Sequence, residues 1–275
     1  MKLPEQTEMN YKTRKPKRVE TETGYRIGDT EYRTRFSCSD ELCEYMSDFS
    51  NGNVILAFST GKDSIVAWLK LKRYFKNIIP YYRYLVPNLD FVEKSLRYYE
   101  DWFGTHIMRL PHPSLYRLWN NFVVQAPENL RIIEEAHLMK FTYSDLGKLI
   151  RATDPALVNA YQASGVRSAD SINRRTSVLK YGSVNHNEMT FMPVFDYKKE
   201  DMLRELDAAN IALPIDYVWF GRTFDGIDRR FTEPLREFAP KDFEKVRECF
   251  PLLEMDILRN EFRKEYWANE AKKGA

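Results

Sequence analysis

The chain has 275 residues, 43% of them hydrophobic and 30% charged, with a formal net charge of +2. That length suits one large α/β domain with additions, or two small domains, and can bury a substantial core. A charge so near balance argues against general affinity for nucleic acid or membrane, and no apolar stretch approaches the ~20 residues of a membrane span.

Residues 1–36 hold few aliphatics and a basic run, Lys12-Thr13-Arg14-Lys15-Pro16-Lys17-Arg18. The composition predicts a poorly ordered, flexible basic arm, and a contact with nucleic acid or a protein partner is the sharper alternative. Tyr11, Tyr25 and Tyr32 interleave with its charges. The polar N-terminus lacks the apolar region of a signal peptide. Cys38, Cys43 and Cys249 form no CxxC and no metal-ligand spacing. Both observations predict a reduced, cytoplasmic protein. The four histidines are scattered and read as structural or surface residues.

Leu42, Tyr45, Met46 and Phe49 carry a helical spacing, and the helix is entered through Ser39 or Asp40. Asn51-Gly52 then turns the chain into Val54-Ile55-Leu56-Ala57-Phe58, an apolar run that predicts a fully buried parallel strand. It breaks at Ser59-Thr60-Gly61-Lys62 and passes at once into a helical pattern from Asp63 and Ser64 onward. A strand feeding a helix through small residues aims several backbone N–H groups and the positive helix end at one point, which binds anions and above all phosphate. Lys62 adds a mobile cation, and the hydroxyls of Ser59, Thr60 and Ser64 can donate. Asp63 makes sense as a helix cap or as a ligand to a metal ion that bridges phosphates.

Ile78 to Val86 predicts a second strand, Asp90 to Phe103 a helix stopped by Gly104, and Thr105 to Leu110 a third strand. This β-α-β-α-β series implies right-handed crossovers and a parallel sheet, with ligands at the carboxyl ends of the strands. Residues 111–155 read as an inserted helical stretch, over Ser114 to Val124, Pro127 to Met139 and Tyr143 to Ala152. Trp119, Phe122, Ile132 and Ile133 there are expected as core or as cover for the cleft. Leu157 to Ala163 returns to strand character and runs into Gly165-Val166-Arg167, followed by Arg174 and Arg175. Three arginines after a glycine turn suit an oxyanion, through guanidinium contacts. Residues 231–275 read as a C-terminal helical extension with a frayed end.

Ser59-Thr60-Gly61-Lys62-Asp63-Ser64 is not a Walker A loop, because Leu56 stands where that motif needs glycine. The Ser-x-Gly-x-Asp-Ser spacing after a buried strand resembles the PP-loop of the ATP pyrophosphatase superfamily. Gly165-Val166-Arg167, then an acidic residue, Ser and Arg, resembles an element of the phosphoadenosine-phosphosulfate (PAPS) reductase-like members. Met192-Pro193-Val194-Phe195-Asp196-Tyr197 is similar to their Pro-aliphatic-Asp-aromatic stretch. The likeness runs from about Asn53 to Phe250.

It implies a doubly wound parallel α/β sheet, Rossmann-like and of the adenine nucleotide alpha hydrolase type, spanning residues 37–230 with inserted and C-terminal helices. It also implies ATP with Mg2+ as cofactors, and cleavage between the α- and β-phosphates to adenylylate an acceptor. Lys62, Asp63 and Arg167 would be catalytic. Ser59, Thr60, Gly61, Lys62, Asp63, Ser64, Gly165, Arg167, Arg174 and Arg175 would bind nucleotide or acceptor, with Asp63 on magnesium.

The chain departs from the reductases in Tyr217-Val218-Trp219-Phe220-Gly221, where many relatives carry cysteines and this one has none. A sulfonucleotide reductase and a non-catalytic nucleotide-binding module remain the alternative readings. The acceptor, small molecule or nucleic acid, and any oligomeric state are open.

Overall fold

The computed structural model describes residues 17–273. Its frame is a six-stranded sheet with helices on both faces. The chain first forms a small antiparallel sheet from β1 (Arg18–Glu20), β2 (Gly24–Ile27) and β3 (Thr30–Arg33), followed by α1 (Ser39–Phe49). Then come β4 (Asn53–Phe58), α2 (Lys62–Leu71), β5 (Asn77–Tyr84), α3 (Asp90–Phe103) and β6 (Met108–Pro111). Three helices separate β6 from the next strand: α4 (Pro113–Asn120), α5 (Pro127–Ala136) and α6 (Tyr143–Ala152). β7 (Tyr161–Ser164), α7 (Ile172–Tyr181), β8 (Val184–Asn185) and β9 (Thr190–Phe191) complete the sheet. The described chain ends in α8 (Lys199–Ala209), α9 (Asp216–Phe220), α10 (Arg229–Phe238), α11 (Pro240–Cys249) and α12 (Leu253–Lys273).

The main sheet has the order β6-β5-β4-β7-β9-β8, parallel throughout except for the antiparallel β8–β9 edge. β4 lies inside it and is buried on both faces. Val54, Leu56 and Phe58 pack with Trp68, Leu96 and Tyr99, whereas Ile55 and Ala57 pack with Tyr81, Leu146 and Ile150. Strand side chains alternate faces, so an unbroken apolar run is what a doubly covered strand requires. From β4 the chain winds outward through β5 and β6, then returns to the other side through β7 and β9. The order therefore reverses between β4 and β7, where ligands of such sheets sit outside the strands' carboxyl ends.

Local signals explain several element ends. α3 stops at Gly104, whose φ of +67° is the left-handed conformation that glycine adopts without penalty. α6 opens with a capping box in which Thr142 and Asp145 satisfy each other's backbone N–H. The strand expected from Leu157 begins later. Asp154 accepts from the Ala156 N–H and Leu157 O accepts from Ala160 N–H, so this backbone is spent in a tight turn before β7 starts at Tyr161. In the inserted stretch Trp119 is half-buried, but Ile132 is 65% exposed and α5 buries no residue.

The expectation of a poorly ordered arm needs correction from Arg18 onward, while Lys12 to Pro16 lie outside the described residues. Tyr25 is buried, stacks on Tyr32 at 5.2 Å between ring centroids, and carries the Arg18 guanidinium 3.8 Å above its ring. Both tyrosines meet the edge of His186, and Tyr32 also meets Phe49. The interleaved tyrosines are thus the packing face of a small sheet. At the following junction Gly182 must be glycine, since a Cβ there would stand 1.9 Å from the Thr34 carbonyl oxygen. Among the described residues no helix is long and apolar enough to cross a membrane.

Candidate nucleotide-phosphate site

The carboxyl end of β4 passes into α2 through a loop under tension. Thr60 adopts φ +60°, a conformation costly for a β-branched residue. Ser64 holds the loop in that shape. Its Oγ donates to the Gly61 carbonyl at 2.9 Å and accepts from the Ser59 N–H at 3.2 Å. Thr60 Oγ1 donates to the Ser59 carbonyl at 2.6 Å. These hydroxyls therefore shape the loop first, and the backbone amides carry the anion-binding capacity. Gly61 is the N-cap of α2 and makes no side-chain cap, so the first-turn N–H groups keep their preference for negative charge.

A second loop, leaving β7, is pressed against this turn. A Cβ on Gly165 would lie 2.5 Å from the Asp63 carbonyl carbon and oxygen, and 2.8 Å from the Ser64 nitrogen. No side chain fits there, and the close approach brings Arg167 to Asp63. Arg167 Nε faces Asp63 Oδ1 at 3.3 Å. Both atoms are buried and neither makes a hydrogen bond, so they attract as charges without the alignment of a bond. Lys62 Nζ lies 3.0 Å from the other oxygen, Asp63 Oδ2. Asp63 therefore spans Lys62 and Arg167 and does not cap the helix.

Asp170 holds the far side of Arg167. Its Oδ1 lies 2.7 Å from Arg167 Nη2, and its Oδ2 accepts from the Arg167 backbone N–H at 2.9 Å. Oδ2 also meets Arg174 Nη1 at 2.6 Å. Three cations thus face two carboxylates, and the surplus is positive. Arg175 is exposed on α7 and takes no part in the cluster.

Three residues of the site escape a reading of the sequence. Asp170 appears there only as an acidic neighbour of the arginines. Tyr217 and Thr223 come from the segment around α9. The Tyr217 hydroxyl accepts from the Lys62 N–H at 3.0 Å, and a Cβ on Gly61 would meet Thr223 Cγ2 at 3.3 Å and the Tyr217 hydroxyl at 3.6 Å. The segment is anchored by Asp216, whose Oδ2 accepts from the Phe224 N–H at 2.9 Å and whose Oδ1 is buried without a partner. Burial pushes the Asp216 carboxyl up to about 6.

The Met192-to-Tyr197 stretch has a structural role. Asp196 accepts from the Ser39 N–H and hydroxyl and so caps α1, while Phe195 O accepts from the Ser168 N–H and steadies the Arg167 turn. Beside Ser164 and Val166 a cavity of about 490 Å³ opens, lined also by Ser177, Asn185 and His186. Cys43 and Cys249 are not poised for attack. Burial pushes Cys43 up to about 12 and also raises Cys249. His186 bridges the Tyr161 hydroxyl and the Arg33 carbonyl at 2.8 Å each, and His112 Nδ1 caps α4. Among the described residues no group of three or more His, Cys, Asp and Glu could hold a metal ion.

No family model and no curated protein matches the chain. Among solved structures it is similar to an NH3-dependent NAD synthetase from Campylobacter jejuni in complex with a nitrate ion. That likeness has TM-score 0.37 and 15% identity, over 82% of this chain and 94% of that one. It is also similar to the U34-tRNA thiolase NcsA from Methanococcus maripaludis with its 4Fe-4S cluster. There the TM-score is 0.36 and the identity 12%, over 79% of this chain and 80% of the other.

Proposed function

We propose that this chain is a PP-loop-type enzyme that cleaves ATP between the α- and β-phosphates and transfers the AMP moiety to an acceptor. The observation that carries this reading is the contact of Gly165 with the first turn of α2. It sets Arg167 opposite Lys62 and Asp63 at the point where the strand order reverses. In the reaction an oxyanion of the acceptor forms a bond to the α-phosphorus, and the α–β bridging oxygen leaves with pyrophosphate. Catalysis of that kind rests on positioning and on neutralising charge.

The α2 amides and Lys62 would hold the β- and γ-phosphates as the leaving group. Arg167, gripped by Asp170, would meet the α-phosphate or the incoming oxyanion. A magnesium ion fits if the phosphates supply most of its ligands, because both oxygens of Asp170 are engaged and only Asp63 keeps a carboxylate oxygen, Oδ1, without a hydrogen bond. When bound, it would neutralise charge on the departing phosphates. The cavity lined by Ser164 and Val166, the chain neighbours of Gly165, is the proposed seat of the acceptor.

ATP labelled at the α or the γ position tests the bond that breaks. Labelled AMP product and pyrophosphate are expected, and ADP with phosphate would overturn the reading. Lys62→Ala should slow turnover about a hundredfold, more than it weakens ATP binding, since the leaving group's charge grows in the transition state. A sulfonucleotide reductase would need a reactive thiol, and the buried Cys43 and half-buried Cys249, both with raised pKa, favour the ATP reading instead.

A further inference from the structure

The proposed phosphate seat holds a protein oxygen. The Lys62 N–H belongs to the first turn of α2, among the amides that have no partner inside the helix. It donates to the Tyr217 hydroxyl at 3.0 Å. Tyr217 lies 155 residues further along, in the short helix α9, so this bond is no local cap. Thr223, from the same segment, closes on Gly61 from the adjoining side. Beside it, Asp63 Oδ1 of the same turn faces the Nε of the nine-tenths-buried Arg167, from the loop after β7, at 3.3 Å, and neither atom makes a hydrogen bond. A neutral phenol oxygen is a poor match for a cationic turn at a helix N-terminus, where an anion is favoured.

Building on the phosphate-site reading above, we propose that Tyr217 is a competitor for the phosphate seat. Its hydroxyl stands in for a phosphate oxygen on the Lys62 N–H, and the β,γ-phosphate end of the nucleotide binds by displacing it. The displaced segment is small. Gly221, in the left-handed conformation with open space around its Cα, ends α9 and allows the backbone to turn there. Trp219, two residues from Tyr217, packs on Phe91 and stacks on Phe238 at 6.0 Å, so displacement of Tyr217 alters the surroundings of an indole. When pyrophosphate leaves, the phenol is at hand to retake the amide, which opposes rebinding.

Tyr217→Phe tests this, because it keeps the ring and removes only the acceptor. Binding of MgATP, magnesium pyrophosphate and AMP is measured by calorimetry on the wild-type chain and the variant. MgATP and pyrophosphate should each bind about fivefold tighter to the variant, the value of one net hydrogen bond. AMP, which lacks the β- and γ-phosphates, should bind both proteins equally. In the wild type, pyrophosphate should also change tryptophan emission, and Trp219→Phe should abolish that change. Equal or weaker pyrophosphate binding by Tyr217→Phe overturns the proposal, as does equal tightening for AMP. If neither protein binds ATP or pyrophosphate, the phosphate-site reading itself fails, which is a different result.

Discussion

Arg167 Nε and Asp63 Oδ1 face each other at 3.3 Å, buried, with no hydrogen bond between them. Arg167→Ala would leave Asp63 and Asp170 to face one another without the guanidinium that separates them. A loss on the order of 3 kcal/mol in a denaturant melt is expected for a broken, largely buried ion pair. Turnover should fall about a hundredfold. Arg167→Lys restores a charge but not a fork that reaches two carboxylates, so it should recover more stability than activity. Full activity in a folded Arg167→Ala chain would remove this residue from the site.

Gly165→Ala asks for space that does not exist. Its new Cβ would stand 2.5 Å from backbone atoms of Asp63, so one of the two loops must retreat. Overpacking of this kind costs about 1–3 kcal/mol. ATP binding should suffer along with stability, because the retreat pulls Arg167 away from Lys62. Gly147→Ala is the comparison, since its Cβ meets chiefly the end of the Gln162 side chain at 2.8 Å. It should lose some stability and leave nucleotide affinity unchanged.

Asp216 makes stability depend on pH in a direction opposite to most carboxylates. Burial raises its pKa from the ordinary 3.8 to about 6, so the folded chain holds this proton more tightly than the unfolded one. The contribution is complete below pH 3.8 and is lost as pH rises through about 6. The difference amounts to roughly 3 kcal/mol at 1.36 kcal/mol per unit. Asp216→Asn, whose side-chain oxygen still accepts from Phe224, should therefore stabilise the chain at pH 8 and change little at pH 4. Thermal melts at both pH values check the sign.

The small N-terminal sheet belongs to the folded body. A chain lacking residues 1–34 should lose several degrees of melting temperature, because Phe49 and His186 lose the cover of Tyr25 and Tyr32. An unchanged melting temperature would show that this sheet adds nothing to stability.

Much of the frame was legible because it is written in local periodicity. The apolar run from Val54 to Phe58, the stop at Gly104 and the span Tyr143–Ala152 each follow from neighbouring residues. The three strands between Arg18 and Arg33 were not legible, since they are short and polar and their tyrosines resemble a contact arm. Within the site, the loop from Ser59 to Ser64 announces itself by strand, glycine and helix. Tyr217 does not, because nothing near it in sequence shows that its hydroxyl reaches an amide 155 positions earlier. Asp196 shows the converse, a family-like motif whose carboxylate caps a helix.

That cap has a consequence for how the protein is made. α1 has 11 residues and no side-chain bond from its own N-cap, Cys38, and a helix so short is marginal alone in water. Its first turn is closed by Asp196, 157 residues later. At ribosomal speeds of about 5–20 residues per second, roughly eight to thirty seconds separate their synthesis. During that interval Leu42, Cys43 and Met46, fully buried in the finished protein, have no complete surface to pack on. The nascent N-terminal half is therefore expected to expose this apolar face until the segment around Asp196 has been made.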